Sequence, residues 1–168
     1  MSKLFIIGRR RTGRQTVIKA LTILKVKKKS ILMAKNDEII ENVLFAAKEY
    51  DVIAIPRDYT MNEIRAIELE YPDSRFILTK RDSDVWYSSF VRYYNSLKGD
   101  NPQTVHTNKG HYVSKFYEEF NEQVKTHFFG REWKLLTITL DGSHSWQSIC
   151  SYLKKPMPSE RFPHENRS

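Results

Sequence analysis

Short apolar runs alternate with longer amphipathic stretches along most of the chain. Five runs have the length and the β-branched or aromatic content of buried strands, at residues 3–7, 30–33, 51–55, 75–79 and 134–140. Apolar residues recur at helical spacing in the stretches between and after them, at residues 14–24, 36–49, 60–71, 85–97, 112–129 and 146–153. Strands that alternate with helices predict an α/β fold, a three-layer α/β/α domain with a mostly parallel sheet covered on both faces.

Local signals place the ends of several elements. Asn36 suits the N-cap of the second helix, and Thr60 with Glu63 forms a capping-box pattern at the start of the third. Residues 99–110 are polar and predict a long loop. At 168 residues the chain is predicted to be one domain, 1–168, in which three prolines keep the tail 154–168 extended.

The turn between the first strand and the first helix carries a glycine at each end, Gly8 and Gly13. Its spacing fits the first six positions of the Walker A loop, GxxxxGK[ST], but Arg14 and Gln15 replace the lysine and the magnesium-binding hydroxyl. The N–H groups of such a loop and of the helix N-terminus favour an anion. Four arginines surround it: Arg9, Arg10, Arg11 and Arg14. The pattern indicates anion binding without magnesium, with a solvated basic turn as the alternative.

The carboxyl ends of the strands are the second candidate feature. In open parallel sheets, ligands bind beyond these ends, where the loops that follow the strands gather. The predicted topology brings Arg11 and Arg14 toward a set of charged residues in the other loops, namely Arg57, Asp58, Lys80, Arg81 and Asp141. We therefore expect the site at this edge of the sheet.

Composition narrows the class of protein. The net charge of +8 and the isoelectric point near 9.5 predict an anionic partner: nucleic acid, a phosphorylated cofactor or an acidic acceptor. The chain has no apolar run of about 18 residues, so no membrane span is predicted. A single cysteine, Cys150, excludes an internal disulfide framework, leaves no Cys/His cluster for zinc and fits a cytoplasmic location.

Several ordered motifs match those of one known protein family. The segment 8–17, GRRRTGRQTV, is similar to that family's first loop, GLPRTGTTSL. The segment 71–89, YPDSRFILTKRDSDVWYSS, matches its YPDAKFILTVRDPEEWWRS stretch nearly position for position. Residues 116–124 resemble its FYExHNxxV helix, and residues 146–166 resemble its WxPLCxFLGxPxPxxPFPHxN tail. Together these motifs resemble the P-loop sulfotransferase superfamily, in particular a bacterial-type family. The resemblance covers about the whole chain and implies a P-loop NTPase-like topology.

The resemblance implies transfer of a sulfuryl group from 3′-phosphoadenosine 5′-phosphosulfate (PAPS) to a hydroxyl or amine of a small-molecule or carbohydrate acceptor, without a metal. Arg81 and Ser89 correspond to the residues that hold the 3′-phosphate. Arg11 corresponds to the basic residue that steadies the leaving group. The 5′-phosphosulfate would lie on the first loop, at Arg10, Arg11, Thr12, Gly13, Arg14, Gln15 and Thr16. For Arg81 an ion pair with a neighbouring aspartate, and for Ser89 an ordinary surface position, are the alternatives.

Departures from the family pattern concern catalysis. Ile55 stands where the family often has an acid before the proline, which leaves Asp58 as a weak substitute for the general base. The histidine of the FYExHN motif is Phe120, for which His106 and His111 are candidate replacements. The aromatic residues of the fourth helix either line an acceptor pocket or pack on the sheet, and packing is favoured. They are Trp86, Tyr87, Phe90, Tyr93 and Tyr94.

Three other functions compete with sulfuryl transfer. A P-loop small-molecule kinase is disfavoured because Gln15 lacks the magnesium-binding hydroxyl and no acid of Walker B type closes an apolar strand. A nucleic-acid or polyanion binder fits the charge, but the basic residues concentrate at one loop. A non-catalytic relative that retains only nucleotide binding fits the substitutions at Gln15, Ile55 and Phe120.

Overall fold

A computed structural model describes residues 3–26, 30–33, 40–54, 58–98, 108–140 and 146–163. The five described strands form one parallel sheet in the order β2-β3-β1-β4-β5. They are β1 (Leu4–Ile7), β2 (Ser30–Met33), β3 (Val52–Ala54), β4 (Arg75–Lys80) and β5 (Leu135–Thr139). The central strand β1 is buried along its whole length, as its unbroken apolar run predicts.

The helices connect the strands in the alternation that the sequence predicts. They are α1 (Arg14–Ile23), α2 (Ile40–Glu49), α3 (Met61–Glu70), α4 (Ser83–Lys98), the single turn α5 (Lys109–His111), α6 (Glu119–His127) and α7 (Trp146–Leu153). A π-helical segment, Tyr112–Glu118, lies between α5 and α6 and is called the π segment below. Among the helices that the structure describes, none combines the length and apolar composition that crossing a bilayer requires.

Two hydrophobic cores, one on each face of the sheet, confirm the three-layer α/β/α architecture. On one face, Leu4 and Ile6 of β1 pack with α1 and α7. On the other face, Phe5 and Ile7 pack with α2, α3 and α6. A third cluster joins α4 to the π segment around Trp86 and lies next to the carboxyl ends of the strands. Because successive side chains of a strand point to opposite faces, β1 contributes residues to both cores.

Element ends follow their capping groups. Thr60 and Glu63 form the expected capping box, with Thr60 N donating to Glu63 Oε2 at 2.7 Å and Glu63 N donating to Thr60 Oγ1 at 3.3 Å. Helix α4 begins at Ser83, two residues before the predicted start. Asp82 explains the difference, because its Oδ1 accepts the N–H groups of Asp84 and Val85, each at 3.0 Å.

Other predicted features differ or fall outside the described residues. The helix predicted over 112–129 begins as the π segment and continues as α6. Three predicted features lie outside the described residues: the N-cap Asn36, residues 99–107 of the loop predicted over 99–110, and the turn at 141–145.

The last described residues, 154–163, contain no helix or strand and return to the face formed by α1 and α7. Phe162 is buried there, with its ring centroid 4.8 Å from that of Trp146. Trp146 Nε1 donates to the carbonyl oxygen of Glu160 at 2.6 Å. This tail therefore completes one of the two cores.

Candidate anion-binding site

The loop between β1 and α1 lies at the carboxyl edge of the sheet, and its two glycines are required by sterics. Gly8 has φ 130°, and a Cβ atom there would lie 2.5 Å from Thr79 Oγ1 of the neighbouring strand. Gly13 is the N-cap of α1 with φ 90°, and a Cβ atom would collide with the side chain of Leu140. Both positions need a left-handed backbone and close approach, so only glycine fits without strain.

Buried hydrogen bonds anchor this loop to the sheet. Thr12 is fully buried, and its hydroxyl lies 2.6 Å from both the carbonyl oxygen of Arg9 and the hydroxyl of Thr79. The Thr79 hydroxyl oxygen in turn lies 3.2 Å from the carbonyl oxygen of Ile7. The Thr12 side chain, predicted to bind cofactor, therefore serves to hold the loop against β4.

Two further contacts hold the backbone of Arg10. Its N–H donates to Asp58 Oδ1 at 2.5 Å, and its carbonyl oxygen accepts the indole N–H of Trp86 at 2.9 Å. The Arg10 guanidinium also pairs with Asp58, with Nε 4.0 Å from Oδ2. Asp58, the candidate general base, thus lies next to the loop and positions it.

Arg9 is built into the fold. Its guanidinium carbon lies 4.1 Å from the ring centroids of both Phe116 and Phe120. Its Nε donates to the Phe116 carbonyl at 2.8 Å and Nη1 donates to the Tyr59 carbonyl at 3.4 Å. Burial lowers the pKa of Arg9, partly offset by the charge of Asp58. Phe120, which stands where the related family has histidine, is therefore a stacking surface for Arg9.

The Arg11 side chain extends from the first loop across the carboxyl edge of the sheet to α4. Its backbone is left-handed, with φ 68°, a conformation that costs energy in residues other than glycine and is commonest where function requires it. Its Nε donates to Ser89 Oγ at 3.1 Å, and its guanidinium carbon lies 5.5 Å from the ring centroid of Tyr93. Arg11 and Ser89, two residues predicted for opposite ends of the ligand, are thus in direct contact.

Arg81 directly follows β4 and lies near Arg11 and Ser89. It lines a groove of about 350 Å³ that also includes Ser88, Ser89 and Arg92, together with Asp84 and Val85. Burial lowers the pKa of Arg81, and the positive charge of Arg11 lowers it further. Its Nε is buried and has no hydrogen-bond partner within the described residues. Two facing cations and an unused buried donor are what an anion would complete.

The predicted ion pair of Arg81 with a neighbouring aspartate is not what organises the start of α4. Asp82 caps the helix, and Asp84 Oδ1 lies 2.7 Å from Lys109 Nζ. Ser89, predicted alternatively as an ordinary surface residue, is buried.

The remaining predicted residues take varied positions. Arg14 is half-buried on the first turn of α1, and burial lowers its pKa while Asp58 and Tyr59 raise it. Gln15 is exposed and Thr16 is buried. His111 is exposed, with its ring edge-on to that of Tyr112. Four residues of the prediction lie outside the described part of the chain: Ile55, Arg57, His106 and Asp141.

The aromatic residues of α4 mostly pack, but against the π segment and not, as the sequence predicts, on the sheet. The Trp86 ring stacks on Tyr117 at 4.2 Å between centroids and lies 5.0 Å from Phe90. Tyr93 and Tyr94 are half-buried and lie on the side of Arg11 and Arg10, respectively.

Sequence reasoning missed the roles of Thr79, Trp86 and Tyr117 in holding the loops. A threonine at the end of a strand carries no distinctive local signal, and Tyr117, although it is the tyrosine of the FYExHN motif, has no partner that the sequence predicts. For Trp86 the sequence predicts packing or an acceptor pocket, not the hydrogen bond to the first loop. In the described part of the chain, no group of three or more His, Cys, Asp or Glu side chains converges as a metal site would require.

The strand order and the helices on both faces of the sheet define an α/β domain of P-loop kinase-like fold. A crystal structure from Chloroflexus aurantiacus j-10-fl, described as that of "a putative kinase", shares this fold with a TM-score of 0.54. The two chains are 10% identical, and the match covers 91% of this chain and 96% of that one. This likeness concerns the fold alone.

The family model of the sulfotransferase domain matches residues 3–105 and 100–168. The chain therefore belongs to the sulfotransferase domain family. No curated protein matches it.

Proposed function

We propose that the protein binds PAPS and transfers its sulfuryl group to a hydroxyl or amine of a small-molecule or carbohydrate acceptor. The contact between Arg11 and Ser89, beside the buried Arg81 Nε that has no hydrogen-bond partner among the described residues, carries this proposal. It links the loop assigned to the 5′-phosphosulfate with the residues assigned to the 3′-phosphate. Membership of the sulfotransferase domain family supports the same chemistry.

The residues present fit a doubly phosphorylated adenosine. Arg81 and Ser89 would hold the 3′-phosphate, because a guanidinium can grip two phosphate oxygens and a hydroxyl can donate to a third. The loop from Arg10 to Thr16 would hold the 5′-phosphosulfate through its backbone and the start of α1. In this assignment Thr12 and Gly13 shape the loop, while Arg10, Arg14, Gln15 and Thr16 surround the ligand.

Catalysis in this proposal rests on fixed charge. PAPS, when bound, supplies the activated sulfuryl group. Arg11 stabilises negative charge on the leaving phosphate oxygen, and its position is fixed in advance by the strained loop and by Ser89. Asp58 is the candidate acid–base residue for the acceptor, although Oδ1 already accepts the N–H of Arg10.

Thermal denaturation tests the binding step, since a ligand that binds only the folded chain raises the melting temperature. We expect 3′-phosphoadenosine 5′-phosphate (PAP) to stabilise the protein more than adenosine 5′-phosphate does. Arg81→Ala should remove most of the difference. Arg65→Ala, which removes the same charge from an exposed site on α3, is the matched control. Stabilisation by ATP with Mg²⁺ and none by PAP would overturn the proposal in favour of a kinase.

A non-catalytic nucleotide-binding relative is the second candidate. The observation that favours it is Asp58, whose carboxylate is committed to the loop at 2.5 Å. Transfer from labelled PAPS to a panel of phenols, alcohols, amines and sugars separates the two. Binding of PAP without transfer to any acceptor would favour this second candidate.

A further inference from the structure

The π segment contacts both the loop between β1 and α1 and the turn between β4 and α4 through three consecutive residues. The carbonyl of Phe116 accepts Arg9 Nε at 2.8 Å, in the first loop. The hydroxyl of Tyr117 contacts the backbone of Arg81, and the carboxylate of Glu118 accepts the hydroxyl of Ser83. π-Helical turns are rare and recur at functional sites, so this placement has functional interest.

Of these three residues, Tyr117 makes two hydrogen bonds to the backbone of Arg81. Its hydroxyl accepts the backbone N–H of Arg81 at 2.8 Å and donates to the backbone carbonyl of the same residue at 2.8 Å. The side chain is fully buried. Burial raises the pKa of Tyr117 to about 12, so the hydroxyl keeps the proton that the second bond needs. One oxygen atom thus fixes both polar groups of the Arg81 backbone.

The same tyrosine reaches the first loop through Trp86. The two rings are stacked, with an interplanar angle of 10°, and the Trp86 indole N–H donates to the carbonyl of Arg10. A buried path therefore runs from Arg81 through Tyr117 and Trp86 to Arg10. It sets the separation of the loops that hold the two ends of the proposed ligand.

We propose that Tyr117 is a positioning residue that fixes Arg81 and thereby selects a 3′-phosphorylated nucleotide over one phosphorylated only at the 5′ position. This inference rests on the proposed function. Arg81 is the first residue after β4. A rotation of its backbone would therefore move its guanidinium away from Ser89 and the groove. The 5′ end depends on α1 and the first loop, which hold their own contacts to Thr79 and Asp58.

Tyr117→Phe tests the inference by removing only the hydroxyl. Calorimetric titration should show PAP affinity reduced about tenfold, the loss expected when a charged hydrogen-bonding group is no longer held in place. Adenosine 5′-phosphate affinity should change by less than about twofold, so the ratio of the two dissociation constants is the readout. A general loss of stability would not move this ratio.

Tyr152→Phe is the matched control. Its hydroxyl also bonds to backbone, lying 3.1 Å from the Phe76 carbonyl and 2.7 Å from the Lys134 carbonyl, at the opposite end of β4. We expect it to lower the melting temperature without changing the ratio. Should Tyr117→Phe not fold, Tyr117→Met, which fills similar space without a hydroxyl, replaces it.

The outcomes separate the two proposals. If the unsubstituted protein fails to bind PAP, the proposed function is wrong and this inference is wrong with it. If that protein prefers PAP and the Tyr117 variant keeps the full preference, or loses both nucleotides equally, the inference alone is overturned.

Discussion

At the residue scale, three arginines of equal charge have different tasks because their surroundings differ. Arg9 uses its N–H groups on protein carbonyls and its flat face on two rings. Arg11 donates to a side chain across the edge, and Arg81 keeps a buried N–H without a partner in the described part of the chain. Which donors the fold already uses decides which arginine serves structure and which is available for a ligand.

Lysine substitutions should separate these tasks. Arg9→Lys should lower the free energy of unfolding by about 1–2 kcal/mol, because lysine cannot stack between two rings while bonding to both carbonyls. Arg11→Lys keeps the charge near the surface and should change stability by less than about 0.5 kcal/mol. Urea unfolding measures both values, and an equal loss in the two variants would contradict the assignment.

Asp58 offers a second test at this scale. Asp58→Ala removes the acceptor for the Arg10 N–H and should weaken PAP binding about tenfold through loss of loop order. Asp58→Asn keeps an oxygen acceptor, so PAP binding should stay within about threefold of the original value. If Asp58 is also the general base, the asparagine variant should transfer no sulfuryl group. Retained transfer by that variant would exclude the base role.

At the scale of elements, the sequence pattern locates helices better than it describes their winding. The apolar spacing over 112–129 is helical throughout, yet its first part is the π segment. The partners that accompany the π turns are Arg9, Arg81 and Ser83, which lie at least 35 positions away in the chain. A local pattern does not contain those contacts, whereas the Thr60 and Glu63 capping box is local and was predicted correctly.

The capping box gives a direct stability test. Thr60→Ala should lower the free energy of unfolding by about 1 kcal/mol, because the N–H of Glu63 loses its acceptor. The melting temperature should fall by about 2–4 °C for a chain of this size. Thr22→Ala is the control, since the Thr22 hydroxyl only bonds back to the Ile18 carbonyl within α1 and alanine is the better helix former. A comparable loss for both variants would contradict the capping argument.

At the scale of the whole molecule, the parallel topology made the site partly predictable. Strands of one direction deliver their following loops to one edge, which is why Arg11 and Arg81 lie close together as expected, whereas the direct contact of Arg11 with Ser89 was not predicted. The bridges beneath them, from Trp86 and Tyr117, were not predictable, because buried aromatic side chains look like ordinary core residues in a sequence.

The opposite end of the sheet holds a partly buried ionic network that should limit stability in acid. Glu68 of α3 accepts bonds from His127 at 2.8 Å, from Lys134 at 2.5 Å and from Arg131. Burial alone would raise the pKa of Glu68, but the bonds from Lys134 and His127 and the nearby charges outweigh it and lower the pKa. The network ties α3 to the start of β5.

A lowered pKa means that the stabilisation is complete above the ordinary glutamate pKa of about 4.3 and is lost as the pH falls through the lower folded value. Glu68→Gln should therefore be less stable than the original protein at neutral pH, and the difference should shrink as the pH falls below about 4.3. Urea unfolding at a series of pH values measures this. A difference that does not depend on pH would contradict the ionic origin.

The returning tail at 154–163 has a practical consequence for handling the protein. Lys154 and Lys155 are exposed to solvent, so trypsin can cut the bond between them, and Phe162 and the Glu160 carbonyl then hold the severed piece against Trp146. The same core packs against α1, and the first turn of α1 directly follows the arginine-rich loop after β1. We expect a preparation cut between these lysines to keep its apparent size in native chromatography and to bind the proposed anionic ligand more weakly.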